Sequence, residues 1–249
     1  MSSEIQLEVD DGVAVLTLNA PDRCNALTPE MARSMAEACD RIDGDATIGA
    51  MIVRGSGGSF CAGADRATLA AVGDDPAGDE AYRDLESVYQ AFARVGTLRM
   101  PTIAAVRGAA VGAGVNLLLA TDLRVVAEDA RIIPGFARIG LHPGGGHFTL
   151  VNRLAGRETA AALGLFGQEV DGTRAAQLGL AWEAVPDTEV DDRARSLAQL
   201  VARDPELARR ATHSFRTELG PPPVSWDAAL ELERGVQMWS LRRRDKDGR

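Results

Sequence analysis

The chain has 249 residues, 45% of them hydrophobic, and a net charge of −9. That length suits one large domain, or one domain with a small appendage. The acidity argues against nucleic acid or an anionic membrane surface as partner. Cys24, Cys39 and Cys61 are odd in number and lack metal-ligand spacing, so they read as reduced thiols of a cytoplasmic protein. The N-terminal MSSEIQLEVDDG has no apolar signal core, and no run of about 18 apolar residues offers a membrane span.

Ile5 to Val9 and Val13 to Leu18 alternate as two strands around an Asp-Asp-Gly turn. Thr28 can cap a helix whose first turn holds Pro29, with Met31, Met35, Ala38 and Ile42 on one face. Ala50 to Arg54 is a buried strand. Residues Val72 to Asp79 are rich in Gly, Asp, Pro and Ala and predict a mobile loop. Tyr82, Leu85, Val88, Tyr89, Phe92 and Val95 then mark an amphipathic helix. Thr102 to Val106 and Leu123 to Ala127 read as strands, Gly114 to Ala120 as a helix between them, and Ile132–Ile133 as a short strand. Helices follow at Gly156 to Phe166 and Thr173 to Leu178, the second ended by Gly179, and Ala181 to Val185 is a strand. Three helical patterns close the chain: Val190 to Ala202, Glu206 to Thr217 and Trp226 to Arg242, with a GPPP hinge (Gly220 to Pro223) before the last. The division expected is a core over 1–189 and a C-terminal helical region over 190–249.

Two stretches carry the chemistry. The strand at Ala50 to Arg54 runs into RGSGGSFCAGADRA, with Gly55, Gly57, Gly58 and Gly63 close together. The strand at Thr102 to Val106 runs into GAAVGAG, Gly108 to Gly114. Such glycine density means sharp turns or close backbone approach. Two strands that end this way can aim backbone N–H groups at one oxygen that gains negative charge.

SFCAGAD with the downstream GAAVGAGVNLLLATDLRV resembles the crotonase (enoyl-CoA hydratase/isomerase) superfamily. PDRCNAL (Pro21 to Leu27) and ARIIPGFARIGLHPGGG (Ala130 to Gly146) add to the resemblance, which covers nearly the whole chain in the family's order. It implies an α/β fold, a spiral of repeated β-β-α units with a C-terminal helical region. It implies an acyl-CoA thioester as ligand, coenzyme A arriving as part of the substrate, and no permanent cofactor or metal. The family's oxyanion donors fall on the N–H groups of Ala64 and Ala113. Arg23 and Arg66 stand in the segments that hold CoA, and Ala26, Ala62 and Asp65 at positions lining its adenine and pantetheine. The Arg242–Arg244 run stands where family members reach a neighbouring subunit. A homotrimer or a dimer of trimers is implied.

The resemblance also exposes departures. Hydration of a 2-enoyl thioester needs a base for water and an acid for the α-carbon, and the family's hydratases use two glutamates. By motif position these fall at Asn116 and Phe136, and a further carboxylate used by other members falls at Gly144. An amide cannot take a proton in the useful range and a phenyl ring cannot take one at all. His142 and His147 flank the Pro-Gly-Gly-Gly turn beside the lost positions and can exchange protons near neutral pH; the plainer alternative is a turn residue with a satisfied hydrogen bond for His142 and a helix cap for His147. Glu80, Tyr82, Asp84 and Glu86 lie on the pocket-lining segment and can point inward or to water. Cys61 reads as packing.

Three readings follow. The first is an enzyme of this family with an altered acid/base set, so that ordinary two-glutamate hydration is slow. The second is a catalytically weak or inactive acyl-CoA-binding protein. The third, a nicotinamide-dependent oxidoreductase, rests on Gly112-Ala113-Gly114 opening a helix and on Glu128 after the next strand, but Leu117 holds the third glycine position.

Overall fold

The structure is a computed structural model that describes residues 4–74, 78–220, 223, 225, 228 and 233–239. The first unit is a hairpin, β1 (Ile5–Asp10) and β2 (Val13–Leu18), followed by helix α1 (Pro29–Gly44). Thr28 Oγ1 accepts from Met31 N at 3.1 Å, capping α1 as its sequence predicts. Then come β3 (Ala50–Gly55), β4 (Ser59–Cys61), α2 (Arg66–Asp74) and α3 (Asp79–Gly96). The next unit is β5 (Thr102–Val106), β6 (Ala109–Val111) and α4 (Ala113–Ala120). The next is β7 (Leu123–Ala127), β8 (Arg131–Ile133) and α5 (His147–Gly164), which bends at Gly156. The chain continues through β9 (Val170–Asp171), α6 (Gly172–Leu178), β10 (Glu183–Val185), α7 (Val190–Ala202) and α8 (Pro205–Leu219).

The strands form two sheets. The six-stranded sheet has the order β1-β2-β3-β5-β7-β10, and the smaller one β4-β6-β8-β9. After the hairpin, whose two strands both lie in the large sheet, the units that begin at β3, β5 and β7 each place their first strand in the large sheet and their second in the small sheet before turning into helix, and successive units stack parallel. This is the expected spiral. Strands β2 and β5 are buried at every position, as inner strands of a sheet covered on both faces are. One cover is α7, which lies across β2, β3, β5 and β7. It presents Val190, Ala194, Ala198 and Ala202, four apart on one face, all buried. Small side chains let the helix approach the sheet closely.

Several boundaries differ from the sequence expectation. Val72 to Asp74 is the last turn of α2, not loop; Asp65 Oδ2 caps that helix, accepting from Ala67 N (3.0 Å) and Thr68 N (3.2 Å). Strands β4 and β6 lie inside the glycine stretches, where three residues are too few to show a period. Helix α5 starts at His147, nine residues before the expected Gly156. The expected helix at Trp226 to Arg242 and the GPPP run fall partly, and Arg242–Arg244 wholly, outside the described residues. No described helix is long and apolar enough to cross a membrane.

Candidate acyl-binding site

The first glycine stretch is held in place by the N-terminal segment PDRCNAL. Ala62 N donates to Cys24 O (2.9 Å), Leu27 N to Gly63 O (2.7 Å) and Asp65 N to Leu27 O (2.9 Å). Asn25 is fully buried and in the left-handed region, φ 57°. Its Oδ1 accepts from Ala20 N at 2.8 Å, and its Nδ2 donates to Ser56 O (2.9 Å) and Ser59 O (2.8 Å). One buried amide therefore fixes both ends of the turn that precedes β4. Sequence reasoning passed over Asn25; a polar residue between two stretches destined to pair was the available signal.

These bonds leave Ala64 N–H facing away from Leu27, with no acceptor among the described residues. Ala113 N–H is also free, because Ala113 is the first residue of α4 and the first turn of a helix has no internal acceptor. The two loops meet backbone to backbone. Gly63 has φ 88°, and a Cβ there would stand 2.6 Å from Val111 O and 3.3 Å from Ala113 N. Only glycine permits that approach. Ala62, Gly63, Ala64, Gly112 and Ala113 all border one cavity of about 710 Å³. Cys61 lies behind the loop, fully buried, and burial pushes its thiol up to about 12, so it packs and does not attack.

The far wall is apolar, with Leu85 and Val88 from α3 joined by Ile133, Phe136 and Leu141. Asn116, 1% exposed, reaches this wall one turn beyond Ala113. Its Nδ2 donates to Gly144 O at 2.9 Å, and its Oδ1 accepts from His147 Nδ1 at 2.9 Å. His147 is therefore the Nδ1–H tautomer, and burial depresses its pKa to about 4, which keeps it neutral. Its Nε2 is buried without a hydrogen-bond partner among the described residues, edge-on to Phe136 at 5.1 Å between centroids. His147 does not border the cavity; it stands behind Asn116. His142 does border it, exposed, its Nδ1 donating to Pro143 O at 2.7 Å.

No Asp or Glu lines the cavity among the described residues. Its polar side chains are Arg66, Tyr89, Asn116, Arg138 and His142. None of the α3 residues for which the sequence left both directions open lines it. Glu80 and Glu86 border a separate groove of about 590 Å³, as does Asp84, which stands 3.7 Å from Arg33. Tyr82 is 74% exposed, because the first turns of α3 run out past the core.

The predicted CoA residues separate into two groups. Arg66 and Ala62 border the cavity, and Arg66 has no acidic partner among the described residues. Arg23 does not reach it: its guanidinium grips Glu4 through two 2.7 Å bonds and donates from Nε to Ala26 O at 3.0 Å. That hydrogen bonding holds Glu4 below the usual carboxylate range. Asp65 is occupied as the cap of α2, and Ala26 by the bond from Arg23. The sequence did not single out Arg138, which borders the cavity and shares Glu169 with Arg131.

A dinucleotide site is not what Gly112-Ala113-Gly114 builds. The preceding strand, β6, is three residues of the smaller sheet, and the sheets wind as a spiral rather than a doubly wound layer. Nor does any described cluster of His, Cys, Asp and Glu suit a metal.

Comparison with known proteins agrees with this architecture. The sequence profile of the enoyl-CoA hydratase/isomerase family matches residues 8–237. A protein of Mycobacterium tuberculosis named as a probable enoyl-CoA hydratase is 41% identical over 246 residues, covering 95% of this chain and 92% of the relative. The 1,2-epoxyphenylacetyl-CoA isomerase of Escherichia coli is 34% identical over 250 residues, covering 98% and 93%. The crystal structure of an enoyl-CoA hydratase from a Polaromonas species superposes with a TM-score of 0.86 at 27% identity, covering 95% and 91%.

Proposed function

The chain belongs to the enoyl-CoA hydratase/isomerase family, and from that premise we propose that it binds an acyl-CoA thioester and polarises its carbonyl between Ala64 N–H and Ala113 N–H. Coenzyme A enters and leaves as part of the substrate. Negative charge that develops on the thioester oxygen falls between two fixed donors, and the N-terminus of α4 adds a favourable dipole. The observation that carries this is the pair of unsatisfied amides bordering one cavity.

The acid/base set is altered. Asn116 and Phe136 occupy the two glutamate positions, so neither water activation nor α-carbon protonation runs through a carboxylate there. Asn116 orients the ligand or a water by hydrogen bonds, and His142 is the exchangeable group at the cavity edge. Arg66 carries the electrostatic part of CoA binding, beside Ala62; Arg23 joins only by releasing Glu4, and Ala26 and Asp65 contribute backbone. The active form is a cytoplasmic homotrimer or a dimer of trimers, with residues 190–249 supplying oligomer contacts.

A second reading, a catalytically weak acyl-CoA-binding protein, is favoured by the lack of any carboxylate on the described cavity wall. Two assays on the same preparation separate them: calorimetric binding of butyryl-CoA, and turnover across 2-enoyl-CoA chain lengths. Binding with slow crotonyl-CoA hydration but turnover of another thioester supports the enzyme. Binding with no turnover supports the second reading. Crotonyl-CoA hydration at the rate of a dedicated hydratase contradicts the altered acid/base set.

A further inference from the structure

Tyr89 borders the cavity from α3, and its position is tied to that of Gly144. A Cβ added to Gly144 would stand 2.3 Å from Tyr89 Oη. The hydroxyl thus occupies the space that any side chain at 144 needs. Asn116 meets the same glycine through its 2.9 Å bond to Gly144 O. The Tyr89 ring is braced by Phe92, with centroids 5.8 Å apart and planes inclined at 48°. Its hydroxyl has no hydrogen-bond partner among the described residues and is not sealed off, since it is absent from the buried, unpartnered polar atoms. An open phenol on an apolar wall loses water when a ligand enters and needs a replacement acceptor.

Asn116 follows Ala113 by three residues, about 4.5 Å along α4. Tyr89 and Asn116 border the same cavity as Ala113, and both meet Gly144. We propose that Tyr89 is a specificity-determining residue of the acyl site, donating its O–H to an oxygen carried by the acyl chain beside the thioester; this rests on the acyl-CoA reading above. Tyr89 selects oxygenated over plain saturated thioesters, and Gly144 is glycine because the hydroxyl stands there.

The test is calorimetric binding of acetoacetyl-CoA and butyryl-CoA to three proteins: wild type, Tyr89→Phe and Gly144→Ala. The wild type prefers acetoacetyl-CoA by about tenfold, the contribution of one hydrogen bond. Tyr89→Phe keeps the ring and its contact with Phe92, so butyryl-CoA affinity holds while the preference shrinks to about twofold or less. Gly144→Ala displaces the hydroxyl and loses the preference too. A Tyr89→Phe protein that keeps the full preference overturns the assignment, as does a wild type that binds both thioesters equally. If a folded wild type binds neither, the acyl-CoA reading falls and this inference with it.

Discussion

Two walls of the same cavity are made by different means. The wall at Ala64 and Ala113 is backbone, its donors being amides that two loops cannot use elsewhere. The wall at Asn116, Phe136 and Tyr89 is side chains, held by an amide–imidazole contact and ring packing. A backbone donor survives almost any side-chain change nearby, whereas a proton-transfer group is lost with one residue. On the proposed reading, carbonyl polarisation is inherited with the fold, and the reaction is set separately by a few positions opposite.

The largest effect should come from breaking the backbone wall. Ala113→Pro removes one N–H at the first position of α4, where proline suits a helix. Turnover of whichever thioester the enzyme accepts should fall by about 10²–10³, roughly 2.7–4 kcal/mol of transition-state stabilisation, with the circular dichroism unchanged.

Next comes the core behind the side-chain wall. His147 is neutral when folded, with a pKa of about 4 against an ordinary value of 6.5. Between those values the unfolded chain takes up a proton that the folded one refuses. Stability is complete above about pH 6.5 and falls as pH drops toward 4, by an amount on the order of 3 kcal/mol for this group. Denaturant titrations from pH 7 to 4 should show it. Asn116→Asp places a carboxylate against Nδ1, raises the folded pKa and shrinks the loss. An equal pH slope in wild type and variant would remove His147 as the cause.

A smaller loss follows from Asn116→Leu, which strands the His147 Nδ1–H and leaves Gly144 O only its 3.3 Å bond from His147 N. It should cost about 1–3 kcal/mol of stability, read as a lower denaturation midpoint. Least affected is Arg66→Ala, an exposed charge: acyl-CoA affinity should weaken by about fivefold at most, and less at high salt.

How legible these walls were in the sequence follows from how they are built. Strand β5 and helix α7 match their expected bounds because each shows a period long enough to count. Strands β4 and β6 are hidden inside glycine runs, which betray a turn but not a partner. Ala64 and Ala113 could be named only through the family motif, since alanine advertises nothing about its own N–H. On α3, Tyr82 and Tyr89 are two turns apart and share a nominal face, yet one is solvated and the other meets Gly144, because the helix outruns the core at its start. Asn116 and Phe136 were conspicuous as departures, but the tether from His147 to Asn116 spans 31 residues and no local pattern carries it.

The central claim is that two main-chain amides grip one thioester oxygen, and the carbonyl stretch of a ¹³C-labelled acyl-CoA bound to the protein reads this directly. The band should shift to lower frequency in the wild type relative to free ligand, and return most of the way in Ala113→Pro. A bound carbonyl that absorbs at its solution frequency in the wild type, or is unmoved by the loss of the Ala113 donor, contradicts the account.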